Sequence, residues 1–257
     1  MVRLILWATA GIISMVLAML AFLPVTLLTP FIEAQTQGHI TLGDAQGTIW
    51  NGSAFVGSAP SANAAITPLL PGRFNWHLSP LVLLGIVEIE LSNSAALSNT
   101  INISGNWHEL TISPSALALP AERLSSLGAP LNTLQPSGQM RLNWQPLQLS
   151  WRQGVAQLDG KMDLQMQDIA SRLSPVKPLG AYNLSLVWQG QRALVALTTL
   201  KGPMLLDGLG TLDKGRLAFS GTAQAAAGKE EILANLLNLL GQRRNVNGKD
   251  IIALEFK

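Results

Sequence analysis

The chain opens on one unbroken apolar block and then changes period. From Leu4 to Ile32 there is no charged residue, and from Leu4 to Leu23 the only hydroxyls are Thr9 and Ser14. Twenty helical residues rise about 30 Å, the thickness of a bilayer's hydrocarbon core, so this block predicts a membrane-spanning helix. Pro24 and Pro30 mark its exit, with Trp7 toward one interface and Phe31 toward the other. The rival reading is a cleaved signal peptide, which has an apolar region of about 7–15 residues and a small-x-small cleavage triplet. This block is longer, and no such triplet follows its core before the prolines. A buried core helix is the weaker alternative, because such helices rarely run this long without a polar face. Arg3 precedes the block and Glu33 follows it. The positive-inside tendency therefore keeps the first three residues in the cytoplasm and exports the rest. The expected division is 1–32, a short cytoplasmic start and anchor, and 33–257, an exported β-rich domain.

Beyond the block the period falls to two. Met140, Leu142 and Trp144 alternate with Arg141 and Asn143, and Leu147, Leu149 and Trp151 repeat the pattern. Met162-Leu164-Met166, Tyr182-Leu184-Leu186, Leu217-Phe219 and Ile252-Leu254-Phe256 follow in turn. Asp159-Gly160, Gln189-Gly190, Asp207-Gly208, Lys214-Gly215 and Asn247-Gly248 read as turns between them. Short strands with polar outer faces predict a largely antiparallel sheet. The run from Leu81 to Val87 reads as a buried strand or strand pair by its length. Two helices are expected to interrupt. One is a weak helix at 115–127, broken by Pro120; the other, at 229–241, opens on Glu230 and Glu231 and closes on Gly241. The fold class is thus mainly β: one N-terminal transmembrane helix, then a curved antiparallel sheet with one or two short helices.

An Asn-Trp pair recurs at Asn75-Trp76, Asn106-Trp107 and Asn143-Trp144, each after a nearby glycine (Gly72, Gly105, Gly138). The spacings are unequal, unlike a solenoid's fixed period, so repeated hairpin units and coincidence both remain open.

Composition narrows the chemistry. Only 12% of the 257 residues are charged, 17 basic against 15 acidic, about half the usual share. Arg243-Arg244 is the densest basic cluster, which argues against a nucleic-acid partner. With no cysteine, disulfides, thiolate catalysis and cysteine-ligated metals are excluded, and the lack suits an oxidising compartment. His39, His77 and His108 match no local metal pattern. There is no G-x-S-x-G elbow or P-loop, and Gly208-Leu209-Gly210 lacks the third glycine of a dinucleotide loop, where Asp213 stands. Asp159, Asp163 and Asp168 lie in an alternating stretch and need not meet. No catalytic, cofactor or metal residue is expected. The tryptophans beyond the anchor are read as core or interface anchors rather than a ligand groove.

Gly47-Thr48-Ile49-Trp50-Asn51-Gly52, followed by Ser53-Ala54, resembles the "G-T-hydrophobic-W-x-G" hallmark of type II secretion system protein N. Phe74-Asn75-Trp76-His77-Leu78-Ser79-Pro80-Leu81, Gly202-Pro203-Met204-Leu205-Leu206-Asp207-Gly208-Leu209-Gly210 and the closing Leu-rich helix with Gly241-Gln242-Arg243-Arg244 continue the likeness, as does the Asn247–Asp250 turn into a last strand. His77 stands where many relatives carry a basic residue. The resemblance implies a Gram-negative inner-membrane protein with a single span and a periplasmic β-rich domain, accessory to the export of folded proteins across the outer membrane and without enzymatic residues. It also implies other inner-membrane platform subunits, and membrane lipid, as partners. The copy number stays open, an oligomer included. The family is similar in turn to the AsmA-like group, whose curved sheets form lipid-accommodating grooves, so a groove that binds or conveys lipid is the alternative function. Gly47, Thr48, Trp50, Gly52, Trp76, Trp144, Gly202 and Gly208 are the structural or interaction candidates. Glycines at 47 and 52 suit a hairpin or bulge, with Trp50 plugging the base of the sheet.

Overall fold

A computed structural model describes residues 2–36, 40–58, 67–127, 131–246 and 249–256. Helix α1 (Val2–Ala21) leads through a short 3₁₀ turn (Val25–Leu27) into α2 (Leu28–Gln35). The strands follow: β1 (Thr41–Gly47), β2 (Asn51–Ser58), β3 (Thr67–Pro68), β4 (Phe74–Leu78), β5 (Ile86–Ser92), β6 (Ile101–Asn106), β7 (Glu109–Ile112) and β8 (Ser115–Pro120). After a one-turn α3 (Leu131–Leu134) come β9 (Pro136–Trp144), β10 (Leu147–Arg152), β11 (Val155–Ser171), β12 (Gly180–Gly190), β13 (Arg192–Lys201), β14 (Met204–Asp213) and β15 (Arg216–Ala225). Helix α4 (Glu230–Leu240) and the hairpin of β16 (Gln242–Val246) and β17 (Lys249–Phe256) close the chain.

All the strands belong to one antiparallel sheet that meanders in chain order. Strand β2 pairs β1 on one side and both β3 and β4 on the other; the ladder then runs β4–β5–β6–β7. Strands β7 and β8 act as one long strand interrupted at Ser113-Pro114, and β9 and β10 as another interrupted at Gln145-Pro146. Their shared register runs through both breaks, Ile112 opposite Leu147 and Ser115 opposite Trp144. A proline supplies no ladder donor, which is why the two breaks sit side by side. Strand β11 spans both β9 and β10, and β12 to β15 follow in order. Only the last pair departs from chain order: α4 carries the chain past β17's place, so β17 pairs β15 and β16 lies outermost. Among the described residues no pairing joins β1 to β16, so the sheet is open.

The register lines the alternating apolar residues into rows. Ile89, Ile103, Ile112 and Leu147 lie opposite one another in sequence, as do Leu117, Leu142, Leu164, Leu184 and Leu197. The other face carries polar rows such as Asn143, Asp163 and Ser185. One face of the meander is thus apolar from β4 to β17. It is packed most fully at the C-terminal end, where Leu233, Leu236 and Leu237 of α4 are buried with Phe219, Ala223, Ile252 and Leu254. A smaller cluster, Leu70, Phe74 and Ala96 with Val56, Leu91 and Leu117, fills the N-terminal end.

Several local expectations change. Residues 115–120 form strand β8, and a 3₁₀ helix, Ala121–Leu127, follows. Pro120 disfavours helix at the residue before it, and Leu117 has Leu142 opposite it in the sheet. The Leu81–Val87 run is not a buried strand: Pro80–Leu84 is a 3₁₀ helix with no buried residue, and β5 begins at Ile86. Its caps decide this. The Ser79 hydroxyl accepts from the Leu81 amide, Pro80 occupies the first turn, and Gly85 ends it at φ +92°. Asp159-Gly160 and Asp207-Gly208 lie inside β11 and β14 rather than at turns, whereas Gln153-Gly154, not singled out from the sequence, turns β10 into β11 with both φ positive. Helix α4 and the strands at 140–144, 147–151, 162–166, 182–186, 217–219 and 252–256 form as expected. Asn247-Gly248 lies outside the described residues. Among those residues no helix is long and apolar enough to cross a membrane; in α1, side chains are described only at 7, 10–16 and 18–21.

Candidate functional site

The β1–β2 turn builds the site. At Gly47 the chain reverses with φ +89°, and a Cβ there would lie 2.4 Å from the Asn51 carbonyl oxygen, so only glycine fits. The Thr48 amide donates to the Asn51 carbonyl (2.8 Å), and the Asn51 amide returns a bond to the Thr48 hydroxyl (3.1 Å). The closed turn holds Trp50 buried against the end of the first helix. The last carbonyls of a helix have no partner within it. Here the Trp50 indole donates to the Leu20 carbonyl at 2.6 Å, and just past the helix the Ile49 amide donates to the Leu23 carbonyl at 3.0 Å. Pro24 bridges Thr48 in the same place, and Val25 is buried beneath. The hallmark turn is therefore the C-terminal cap of α1.

Strand β4 clamps the turn from the other side. The Leu78 amide donates to the Trp50 carbonyl (2.7 Å) and the Trp76 indole to the Ile49 carbonyl (3.1 Å). Gly52 lies flat under Trp76: a Cβ there would sit 2.3 Å from the ring. His77 is exposed and its Nδ1 meets the Asn51 side-chain oxygen. Arg73 crosses three strands. Its guanidinium pairs with Asp44, donates to the Ser53 hydroxyl at 2.9 Å and lies 4.6 Å from the centre of the Phe55 ring. Asp44 is well exposed, so the ion pair contributes little; the link between strands is its effect.

The Asn-Trp echo has a structural counterpart. Trp76, Trp107 and Trp144 each aim an indole N–H at a backbone carbonyl earlier in the chain, those of Ile49, Val82 (2.9 Å) and Ser113 (2.9 Å). Trp50 does the same toward Leu20. Each target lies at a turn, a strand break or a helix end, and the Val82 carbonyl also accepts from the Gly85 amide at 3.1 Å. Trp144 sits at the double proline break, not at the hallmark turn. Trp188 differs: its indole nitrogen is buried without a hydrogen-bond partner.

The two remaining candidates lie far along the sheet. Gly202, at φ +130°, lets the β13–β14 turn pass close to β12; a Cβ there would be 2.3 Å from the Gly180 Cα. Gly208 leaves room for Phe219, whose ring would meet an added Cβ at 2.4 Å. Neither approaches the hallmark turn, so the structure gathers Gly47, Thr48, Trp50, Gly52 and Trp76 into one place and leaves Trp144, Gly202 and Gly208 apart. Sequence reasoning missed Arg73 and the carbonyls of Leu20 and Leu23. A backbone acceptor carries no sequence signal, and Arg73 lies just before β4, at the end of that strand opposite His77, where no motif marked it.

Among the described residues no group of three or more His, Cys, Asp or Glu side chains is placed to hold a metal. The one marked shift is Tyr182, whose phenol burial pushes up, above the usual range; it donates to the Met204 carbonyl at 3.0 Å, beneath α4. A groove of about 880 Å³ lies on the sheet face opposite α4, lined by Val187, Leu194, Leu209 and Thr211. His39 lies outside the described residues.

Searches of curated proteins and of solved structures return no match. The family described as type II secretion system (T2SS), protein N matches residues 38–250, from just before the hallmark turn to the last strand. The chain belongs to the type II secretion system protein N family.

Proposed function

We propose that the protein is a non-enzymatic, single-pass inner-membrane component of the type II secretion system. Its N-terminus lies in the cytoplasm, residues 1–32 anchor it, and the sheet of 33–257 lies in the periplasm, where it contacts other platform subunits and supports export of folded proteins across the outer membrane. The observation that carries this reading is the cap on α1. The Trp50 indole of the family's hallmark bonds the Leu20 carbonyl in the last turn of an apolar helix, and the Ile49 amide bonds the Leu23 carbonyl just past it, which fixes the sheet to that helix as a base. A subunit that transmits position from membrane to periplasm needs this joint; a freely diffusing domain does not. Crosslinking in intact membranes tests it: adducts with platform subunits are expected, and none under conditions that crosslink known neighbours would overturn it. A reporter fused to the C-terminus is expected to be active in the periplasm only.

A second reading has its own support. The apolar face running from β4 to β17 is packed by α4 at one end, while Leu142, Leu164, Leu184 and Leu186 along its middle are only half-buried. A sheet with such a face suits acyl chains. Native mass spectrometry of the purified chain would then detect co-purifying lipid, and a lipid-free spectrum would remove this reading.

A further inference from the structure

We propose that the rim of the sheet at the α1 end rests on the bilayer surface, with the Pro80–Leu84 turn dipping into the headgroup–acyl boundary. The inference rests on the anchored reading above. No charged residue lies between Arg73 and Glu88, yet this most apolar stretch of the sheet domain is not in its core. Leu83, Leu84 and Ile86 are exposed, Leu84 to 78%. Beside them Trp107 is 60% exposed while its indole donates to the Val82 carbonyl, so the ring is held against the turn with its apolar body open to the surroundings. A capped, hydrogen-bonded turn is a fixed shape, so the exposure is built in by Ser79, Pro80 and Gly85 rather than left by a frayed loop.

Position selects the occupant. Hydrogen bonds string the turns along one edge, starting from the helix: Leu20 to Trp50, Trp50 to Leu78, Val82 to Trp107, and His108 to Trp151. Phe22, directly after α1, and Phe31 in α2 are also exposed. The apolar band is therefore continuous with the place where α1 leaves the sheet, and the surface nearest that place is the membrane α1 enters. Exposed Trp and Leu on an ordered rim, with no charged residue between Arg73 and Glu88, is the composition of an interfacial contact. A footing of this kind, added to one helix, sets the tilt of the sheet, which a single flexible tether does not.

The natural chain lacks cysteine, so single positions can be labelled. Leu84→Cys, Met15→Cys in α1 and Leu173→Cys in the turn at the opposite end of β11 would each carry an environment-sensitive fluorophore. The full chain would be reconstituted in phosphatidylethanolamine–phosphatidylglycerol vesicles with brominated acyl chains. All three side chains are exposed, so the label does not disturb packing. Quenching at 15 and 84, several-fold above that at 173, is expected. Quenching at 15 alone would overturn the footing and leave the anchor standing. Quenching at 84 without 15 would support the lipid-facing rim and overturn the anchor; quenching at neither overturns both. Equal quenching at 84 and 173 would also overturn the footing, since the sheet would then lie on lipid without preference.

Discussion

Around Trp50 the sheet is joined to the first helix by directional bonds from indole and amide donors to free carbonyls. Around Phe219 it is held by apolar contact: the ring fills the space left by Gly208, Gly210 and Gly221, and α4 covers its neighbours. The two ends of one meander thus use different forces. Burial is non-directional and scales with area, so the C-terminal end gains stability and sets little orientation. Hydrogen bonds contribute less each but fix geometry. The end that joins the first helix is the end built from tryptophan N–H groups.

The largest break in this contrast is Phe219→Ala. It empties a buried aromatic site and is expected to cost about 3–5 kcal/mol, read as a lowered denaturant midpoint, while protease sensitivity at residues 48–51 stays unchanged. Gly52→Ala drives a methyl into the Trp76 ring and is expected to cost about 1–3 kcal/mol, with the change in protection from hydrogen exchange centred on β2 and β4.

The third test uses pH. Tyr182 is the only tyrosine in the chain, and burial raises its folded pKa above the ordinary 10.0. An acid whose proton is held more tightly in the folded state stabilises fully below the unfolded pKa, and the contribution is lost as pH climbs toward the folded one. Stability should therefore fall by about 1.4 kcal/mol per pH unit once the unfolded phenol ionises. Tyrosinate absorbance of the folded chain should rise only well above the pH at which the denatured chain titrates. Titration of the two at the same pH would contradict the burial of this ring.

Trp50→Phe removes one donor and part of the buried indole, so about 1–2 kcal/mol of stability is expected to go; the sharper readout is a wider spread of helix-to-sheet distances by spin-label pairs. Trp188→Phe is the smallest. Its indole N–H has no partner, so the desolvation relieved offsets the ring volume lost, and a net change near zero is expected. A clear loss would mean that Trp188, like the four tryptophans with carbonyl partners, is bonded in the working protein.

Strands with strict alternation were legible because the period of two is a property of the backbone itself, and the long ones at 140–144, 162–166 and 182–186 needed nothing else. Helix α4 was legible from its acidic start and leucine spacing. Where a stretch read wrongly, a short-range cap or a distant ring had the deciding vote. Ser79, Pro80 and Gly85 turned an apolar run into an exposed 3₁₀ helix, and Phe219 made Gly208 a strand residue although Asp-Gly suggests a turn. Of the candidate site, the hallmark residues were visible as a motif, but their partners were not, since two of those partners, at Leu20 and Leu23, are main-chain oxygens.

Local chemistry written in the sequence settled the identity of six strands, β9 to β12, β15 and β17, the polar and apolar sides of each, and the six residues of the hallmark turn. It left undecided what those residues hold. That the turn caps α1, that the apolar rows of successive strands align across the sheet, and that the most hydrophobic loop ends up on the outside all depend on contacts between residues 20 to 30 or more positions apart. Such contacts are fixed by register and by the geometry of a ring meeting a carbonyl, and a pattern read along one chain carries neither.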